Sequence, residues 1–476
     1  MLALWVGCGG GGSGGGGSTP APVPTSAAFN GSILLGAPSA NSIKLKLLSA
    51  DQRGSVSISY GPTSSTGVQR TATYSLLPGE PLELTLVGLE ADTPYAYKLQ
   101  FAADGASATE SGPYTFVTAR SSDRSFTFTV QADSHLDENS DLDQYRRTLS
   151  NVLADKPDFH LDLGDTFMTE KHSDPFTALV QMAADLLTVK RRYAYERANF
   201  GAISHSVPLY LVNGNHDGEL GWLLNGTAQN LAIWATQARQ QYFLNPSPGS
   251  FYSGDSVADG WTGSRASWYA WTWGPAQFIV LDPYWNSNAQ ASKDGWNLTL
   301  GERQYRWLAS TLANSSAPFK FVFIHNLVGG LDGQMRGGIE AAPFFEWGGK
   351  NLDGTDGFAK NRPGWGLPIH SLLVQYGVTA VFHGHDHLYA HQLLDGVVYQ
   401  EVPQPSAVNN GSGASLASAY HYNSGTLLSS SGHLRISVTP TSVTGEYVRS
   451  WLPKDESSSR KNAQVDHRWT VTRKAP

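Results

Sequence analysis

From Ser125 onward, short apolar runs alternate with segments of helical period, and this alternation specifies a layered α/β fold. Strands are predicted over Phe126 to Gln131, Phe159 to Leu163, Pro208 to Val212, Phe278 to Leu281, Phe319 to Ile324 and Val378 to Phe382. Helices are predicted over Leu142 to Leu153, Gly301 to Leu312 and Ile369 to Gln375, with a helical insert from Pro175 to Ala198. Val397 to Glu401, His433 to Val438 and Val443 to Val448 read as later antiparallel strands. Two long stretches, Gly218 to Trp273 and Leu327 to Leu367, are rich in Gly, Trp, Asn and Pro and read as ordered loop walls of a cleft.

Ahead of this region, residues 28 to 119 read as all-β. Ser42 to Leu47 and Ser55 to Tyr60 alternate as half-buried strands do, and Leu82 to Leu86 and Tyr114 to Val117 add further short strands. Strands at this spacing suggest a β-sandwich. The run Leu89, Thr93, Tyr95, Tyr97 resembles a fibronectin type III-like module, which implies Tyr95 as a buried corner tyrosine. The expected division is a leader and linker over 1–27, a sandwich over 28–120 and an α/β domain over 121–476.

Charged residues make up 15% of the chain and the formal net charge is −7. Nucleic-acid phosphates are held by clustered Lys and Arg, so this balance argues against nucleic acid as the main partner. Small phosphate esters stay open, because bound cations would dominate the local field. Cys8 is the single cysteine, so no disulfide can form within the chain. It follows Leu4-Trp5-Val6-Gly7 and precedes a Gly/Ser run through Ser18 and a tail from Thr19 to Pro24. That setting resembles the lipobox of a bacterial lipoprotein with a shortened leader, Trp5 standing where Leu is usual. It implies export and a lipid anchor on Cys8 at the periplasmic or cell surface. No other stretch approaches the ~20 apolar residues of a membrane span.

Five short motifs directly follow predicted strands. They are Asp133-Ser134-His135, Gly164-Asp165, Gly214-Asn215-His216-Asp217, His325 after Val322-Phe323-Ile324, and Gly384-His385-Asp386-His387. Open α/β sheets bind ligands at the carboxyl ends of their strands, so motifs spread over about 250 residues reach one rim. Two carboxylates, one amide oxygen and four imidazoles, without a thiolate, suit divalent or trivalent metals of hard-to-borderline character. One open catalytic ion keeps about three protein ligands, so this set is too large for it. It fits two ions about 3.5–4 Å apart that share a carboxylate, hold a bridging hydroxide and clamp an in-line displacement at phosphorus.

The ordered motifs are similar to those of the calcineurin-like metallophosphoesterase superfamily, and the sandwich in front resembles the purple acid phosphatase arrangement. Together the two resemblances cover residues 28 to 450. They imply a β-sandwich followed by a four-layer αββα domain that hydrolyses phosphate esters. They further imply Asp133, His135 and His387 on the first metal, Asp165 bridging, and Asn215, His325 and His385 on the second. His216 is implied as general acid, with Asp217 orienting its ring. Purple acid phosphatases place a metal-binding Tyr three residues after the bridging Asp, where this chain has Met168, and they have no His at the position of His135. The exchange removes the phenolate-to-iron colour and leaves Fe, Mn, Zn and Ca open. A phosphomonoester is favoured over a phosphodiester, by the likeness to phosphatases. A reading of another class, an anchored surface-binding protein with structural metals, is opposed by the intact His216.

Other polar residues read as structural. Asp282 follows a strand but lies outside the motifs, and alternation turns His383 away from the ligands. His160, His172, His205, His370, His391, His421, His433 and His467 are expected to be non-ligands. Arg336, Trp347 and Tyr389 lie in or near the long loops and are candidates for substrate contact.

Overall fold

The computed structural model describes residues 27–65, 67–170, 185–330, 336–408 and 411–473. Cys8 with its leader, His172 and the first part of the expected insert lie outside them.

The N-terminal strands form two facing sheets. Ser32–Gly36, Ser42–Leu48 and Leu82–Val87 make one, and Gly54–Pro62, Gln69–Arg70, Tyr74–Leu76, Pro94–Ala103 and Thr109–Val117 make the other. Their alternating apolar residues meet in a core of Ile43, Leu45, Leu47, Val56, Ile58, Leu99 and Phe101. Tyr95 is buried against Phe116, and its hydroxyl accepts the Glu90 amide at 2.9 Å, so the tyrosine pins its own corner as expected.

Two larger sheets follow. In the six-stranded sheet, Leu209–Leu211, Phe159–Asp162 and Phe126–Gln131 run parallel, and Gly432–Val438, Ser442–Arg449 and Val465–Thr472 continue it antiparallel. The eight-stranded sheet has a parallel centre of Ala276–Val280, Phe319–Phe323, Ala380–His383 and Val397–Glu401. The two sheets pack face to face through phenylalanines. Phe128 lies 5.6 Å from Phe159 and 5.1 Å from Phe278, and Phe323 stacks on Phe382 at 5.1 Å. Each such ring withdrawn from water contributes about 1.5–3 kcal/mol. Helices Leu142–Ala154 and Leu186–Ser204 cover the outside of the first sheet, and Glu302–Ala313 and Ile369–Gln375 pack on the second. The order is therefore helix, sheet, sheet, helix, which is the expected αββα domain.

Several segments differ from the sequence reading. Gly218 to Trp273 is not a loop throughout. It contains the Leu231–Tyr242 helix, capped by Asn230, and the Tyr269–Trp273 strand. Its buried face mixes Ala232, Ala235 and Ala238 with the polar Thr236 and Arg239, so its apolar stripe is faint in the sequence. In the second long stretch Phe345 and Phe358 pack in one cluster with Trp296, and Trp365 lies against it.

The sandwich is docked on the αββα domain. Lys46 is buried and its Nζ donates to the carbonyls of Gln240 and Phe243, each at 2.8 Å. Arg197, on the Leu186–Ser204 helix, donates to Ser32 Oγ at 3.0 Å and to the carbonyls of Lys46 and Tyr242. Arg120 bridges Asp158 at 2.7 Å and Asp92 at 3.5 Å.

Candidate metal centre

Five parallel strands end at one rim, three from the first sheet and two from the second. Beyond their ends the backbone turns sharply. Asp133, His135, Asp165, His385 and His387 have φ of 62°, 52°, 52°, 81° and 59°. Left-handed backbone costs an L-residue about 1–2 kcal/mol, and five such residues side by side mark a site whose geometry is imposed by its surroundings. Gly214 and Gly384 let the loops approach one another. A Cβ on Gly214 would lie 2.1 Å from the Asp165 amide nitrogen, and one on Gly384 would lie 2.6 Å from Asp133 Oδ2. These glycines serve contact between the loops.

Six of the seven expected donors converge. Asp133, His135 and His387 form one group, and Asp165, His325 and His385 a second, with ligand atoms in each group within 4.8 Å of one another. Asp165 Oδ2 stands between the groups, 3.1 Å from His325 Nε2 and 3.9 Å from His135 Nε2. Asp133 Oδ1 lies 3.6 Å from His387 Nε2. The tautomers suit coordination. His325 Nδ1 bonds the Leu163 carbonyl at 2.9 Å and His135 Nδ1 approaches Asp137 Oδ2 at 3.4 Å, so Nε2 of each ring can offer its lone pair. His135 Nε2, His325 Nε2 and Asn215 Oδ1 are buried with no hydrogen-bond partner among the described residues. Buried polar atoms are otherwise almost always bonded, and these three fit as donors to cations. The donor set thus accommodates two metal ions.

The electrostatics agree. Burial opposes charge on His135, but Asp133, Asp137 and Asp165 raise its imidazole to about 10. Burial likewise opposes charge on His325, and Asp165 with Asp133 raises it to about 9. Burial also works against the Asp165 carboxylate, but His325 and His216 hold its pKa well below the usual range. The pocket therefore favours positive charge beside Asp133 and Asp165. His387, by contrast, is lowered to about 4 by burial and then by His135.

His216 lies at the mouth, its ring 5.7 Å from that of His135 and its side chain 34% exposed. Its pKa is lowered by burial but raised on balance by Asp165 and Glu170. The expectation that Asp217 orients this ring is corrected by the structure. Asp217 is fully buried and accepts the amides of Gly214 at 2.7 Å, Phe167 at 2.8 Å, Thr166 at 2.9 Å and Asp165 at 3.2 Å. Four amides saturate its oxygens, and Glu170 takes the role instead, with Oε1 against His216 Nδ1. An acidic residue five positions past Asp165 was visible in the sequence, but nothing in its spacing distinguished it from a surface glutamate.

The remaining candidates are structural. Asp282 pairs with Arg265 at 3.0 Å and accepts the Tyr284 amide, and His383 pairs with Glu401 at 2.6 Å. Trp347 donates to the Tyr399 hydroxyl at 2.8 Å, and Tyr389 stacks on Tyr447 while bonding His467 at 2.6 Å, so neither is a substrate contact. Arg336 bonds Asp386 Oδ1 at 2.7 Å and the His385 carbonyl at 2.8 Å, holding the loop of His385 and His387.

The profile of the calcineurin-like phosphoesterase family matches residues 126–389, more than half of the chain. The solved structure of PhoD superposes with a TM-score of 0.64 at 15% identity, over 94% of this chain and 92% of PhoD. Purple acid phosphatase PPD1 from yellow lupin (Lupinus luteus) seeds superposes with a TM-score of 0.59 at 14% identity, over 92% of this chain and 74% of the lupin protein. At these identities the likeness concerns the fold. None of the curated proteins compared with the sequence matches it.

Proposed function

Because this chain belongs to the calcineurin-like phosphoesterase family, and is by that membership a phosphoesterase hydrolase, we propose that it cleaves small phosphomonoesters at a two-metal centre with His216 as general acid. The observation that carries the reading is the trio of buried, unbonded donor atoms on His135, His325 and Asn215, set among four further metal-type ligands. Ions held by Asp133, His135 and His387 on one side and Asn215, His325 and His385 on the other, with Asp165 between, would supply Lewis-acid polarisation of the ester and a water acidic enough to attack phosphorus.

The chain's own part is positioning and proton transfer. His387 and His216 keep side chains 28% and 34% exposed, so the ester enters at their face. Glu170 holds Nδ1 of His216, which leaves Nε2 to protonate the departing alcohol oxygen. Preference for a monoester is supported by the fold shared with the lupin purple acid phosphatase.

The test compares esters. Metal-loaded protein should hydrolyse p-nitrophenyl phosphate faster than bis-p-nitrophenyl phosphate, and the reverse order would assign a phosphodiesterase. General acid catalysis contributes about 10²- to 10⁴-fold, so His216→Ala should lose that range on an alkyl phosphate. It should lose much less on the p-nitrophenyl ester, whose phenolate leaves unaided, and metal content should not change. An equal loss on both esters with depleted metal would remove His216 from the acid role.

A further inference from the structure

The Leu186–Ser204 helix carries three charged residues, Arg192, Glu196 and Arg197, that are fully buried, although such residues on a surface helix ordinarily face water. A buried guanidinium is costly unless its donors are engaged, and Nε and Nη2 of Arg192 are spent on backbone carbonyls. Its Nε donates to the Phe167 carbonyl at 2.7 Å, and its Nη2 donates to the carbonyls of His135 and of Leu136, the latter at 3.1 Å. Phe167 lies two residues past Asp165. One side chain therefore grips both the loop of Asp133 and His135 and the loop of Asp165. The planar fork of arginine suits such a contact, since it presents donors in two fixed directions at once.

The backbone at these carbonyls needs holding. His135 and Leu136 are both left-handed, with φ of 52° and 50°, as is Met168 at 45°. On the other side of the Asp165 loop, the Asp217 carboxylate takes the amides of Asp165, Thr166 and Phe167. A buried anion thus binds the loop's N–H groups and a buried cation binds its C=O group. Glu196 Oε1, one helical turn from Arg192, stands 3.4 Å from Nη2, and burial pushes its carboxyl well above the usual carboxylate range.

We infer that Arg192 is a positioning residue for catalysis, setting the separation of His135 from Asp165 and hence the affinity of the first metal position. The inference rests on Asp133, His135 and Asp165 being ligands as proposed above. A residue that orients ligands from behind typically changes metal affinity by 10- to 100-fold when replaced.

The test is titration of metal-free protein with Zn²⁺, followed by calorimetry and elemental analysis. Arg192→Lys keeps a cation beside Glu196, but a single ammonium cannot span both loops. It should retain the native circular dichroism and bind one of two Zn²⁺ ions about 10- to 100-fold more weakly than wild type, with activity recovering as Zn²⁺ is raised. If Arg192→Lys does not fold, the double variant Arg192→Met, Glu196→Gln takes its place, because it removes the cation without leaving a bare buried carboxylate. A folded variant with a lowered apo unfolding temperature, but both Zn²⁺ affinities within about twofold of wild type, would overturn the inference and leave Arg192 as an ordinary structural residue. Wild-type protein that binds two ions of none of Zn²⁺, Mn²⁺, Fe²⁺ and Ca²⁺ would instead refute the metal-centre reading, and the inference with it.

Discussion

Replacing Glu170 with Gln removes the anion that faces His216 Nδ1 while keeping nearly the same shape. A hydrogen bond to a charged group is worth about 1.5–3 kcal/mol, but both side chains are 34% exposed and solvent screens the pair. About 1–1.5 kcal/mol is a fair figure after that discount, equivalent to about five- to tenfold in rate. The loss should appear in kcat/KM for an alkyl phosphate, where the leaving alkoxide needs a proton. It should nearly vanish for p-nitrophenyl phosphate, where His216 has little to contribute. Because Glu170 acts through His216, Glu170→Gln should add nothing in a His216→Ala background. An equal drop on both esters, or a further loss in the double variant, would show that Glu170 acts on metal or substrate directly.

Asp217→Ala should behave differently, since four amides lose their acceptor: apo stability should fall by about 1–3 kcal/mol in chemical unfolding and both esters should slow together. A loss confined to the alkyl ester would restore Asp217 as the partner of His216. Glu219 is fully buried, and although burial raises its pKa, Arg239 and Arg265 lower it to about 2. A folded pKa below the unfolded ~4.3 gives stability that is present above pH 4.3 and lost as pH falls toward 2. The urea midpoint of wild type should therefore drop more steeply between pH 5 and pH 3 than that of Glu219→Gln, and parallel curves would refute the assignment. Met168 occupies the position of a metal-binding Tyr, so iron-loaded protein should show no phenolate charge-transfer band in the visible; a purple colour would contradict the geometry.

The site was legible in the sequence because its chemistry is concentrated in short motifs at strand ends. Strands such as Phe126–Gln131 and Phe319–Phe323 announce themselves by dense apolar residues, and the residue after each strand end inherits its place on the rim. The supporting charges were not legible, because their function depends on burial that the sequence does not display. Arg192 and Glu196 look like a solvent-facing i,i+4 pair, yet both are fully buried behind the ligand loops. Asp217 sits beside His216 in sequence, but the loop folds its carboxylate under four amides, and Glu170 reaches the imidazole from 46 residues away. The Leu231–Tyr242 helix is hard to read for a related reason: Thr236 and Arg239 face inward among its alanines, which breaks the apolar period.

The two-metal centre is tested most directly by counting ions in wild type and in Asp165→Asn. Asp165 Oδ2 lies 3.1 Å from His325 Nε2 and 3.9 Å from His135 Nε2, so the proposed centre has its carboxylate serve both positions. Elemental analysis of metal-loaded wild type should find close to two ions per chain, and Asp165→Asn, folded by circular dichroism, should retain neither. One ion per chain in wild type, unchanged by the substitution, would contradict the account.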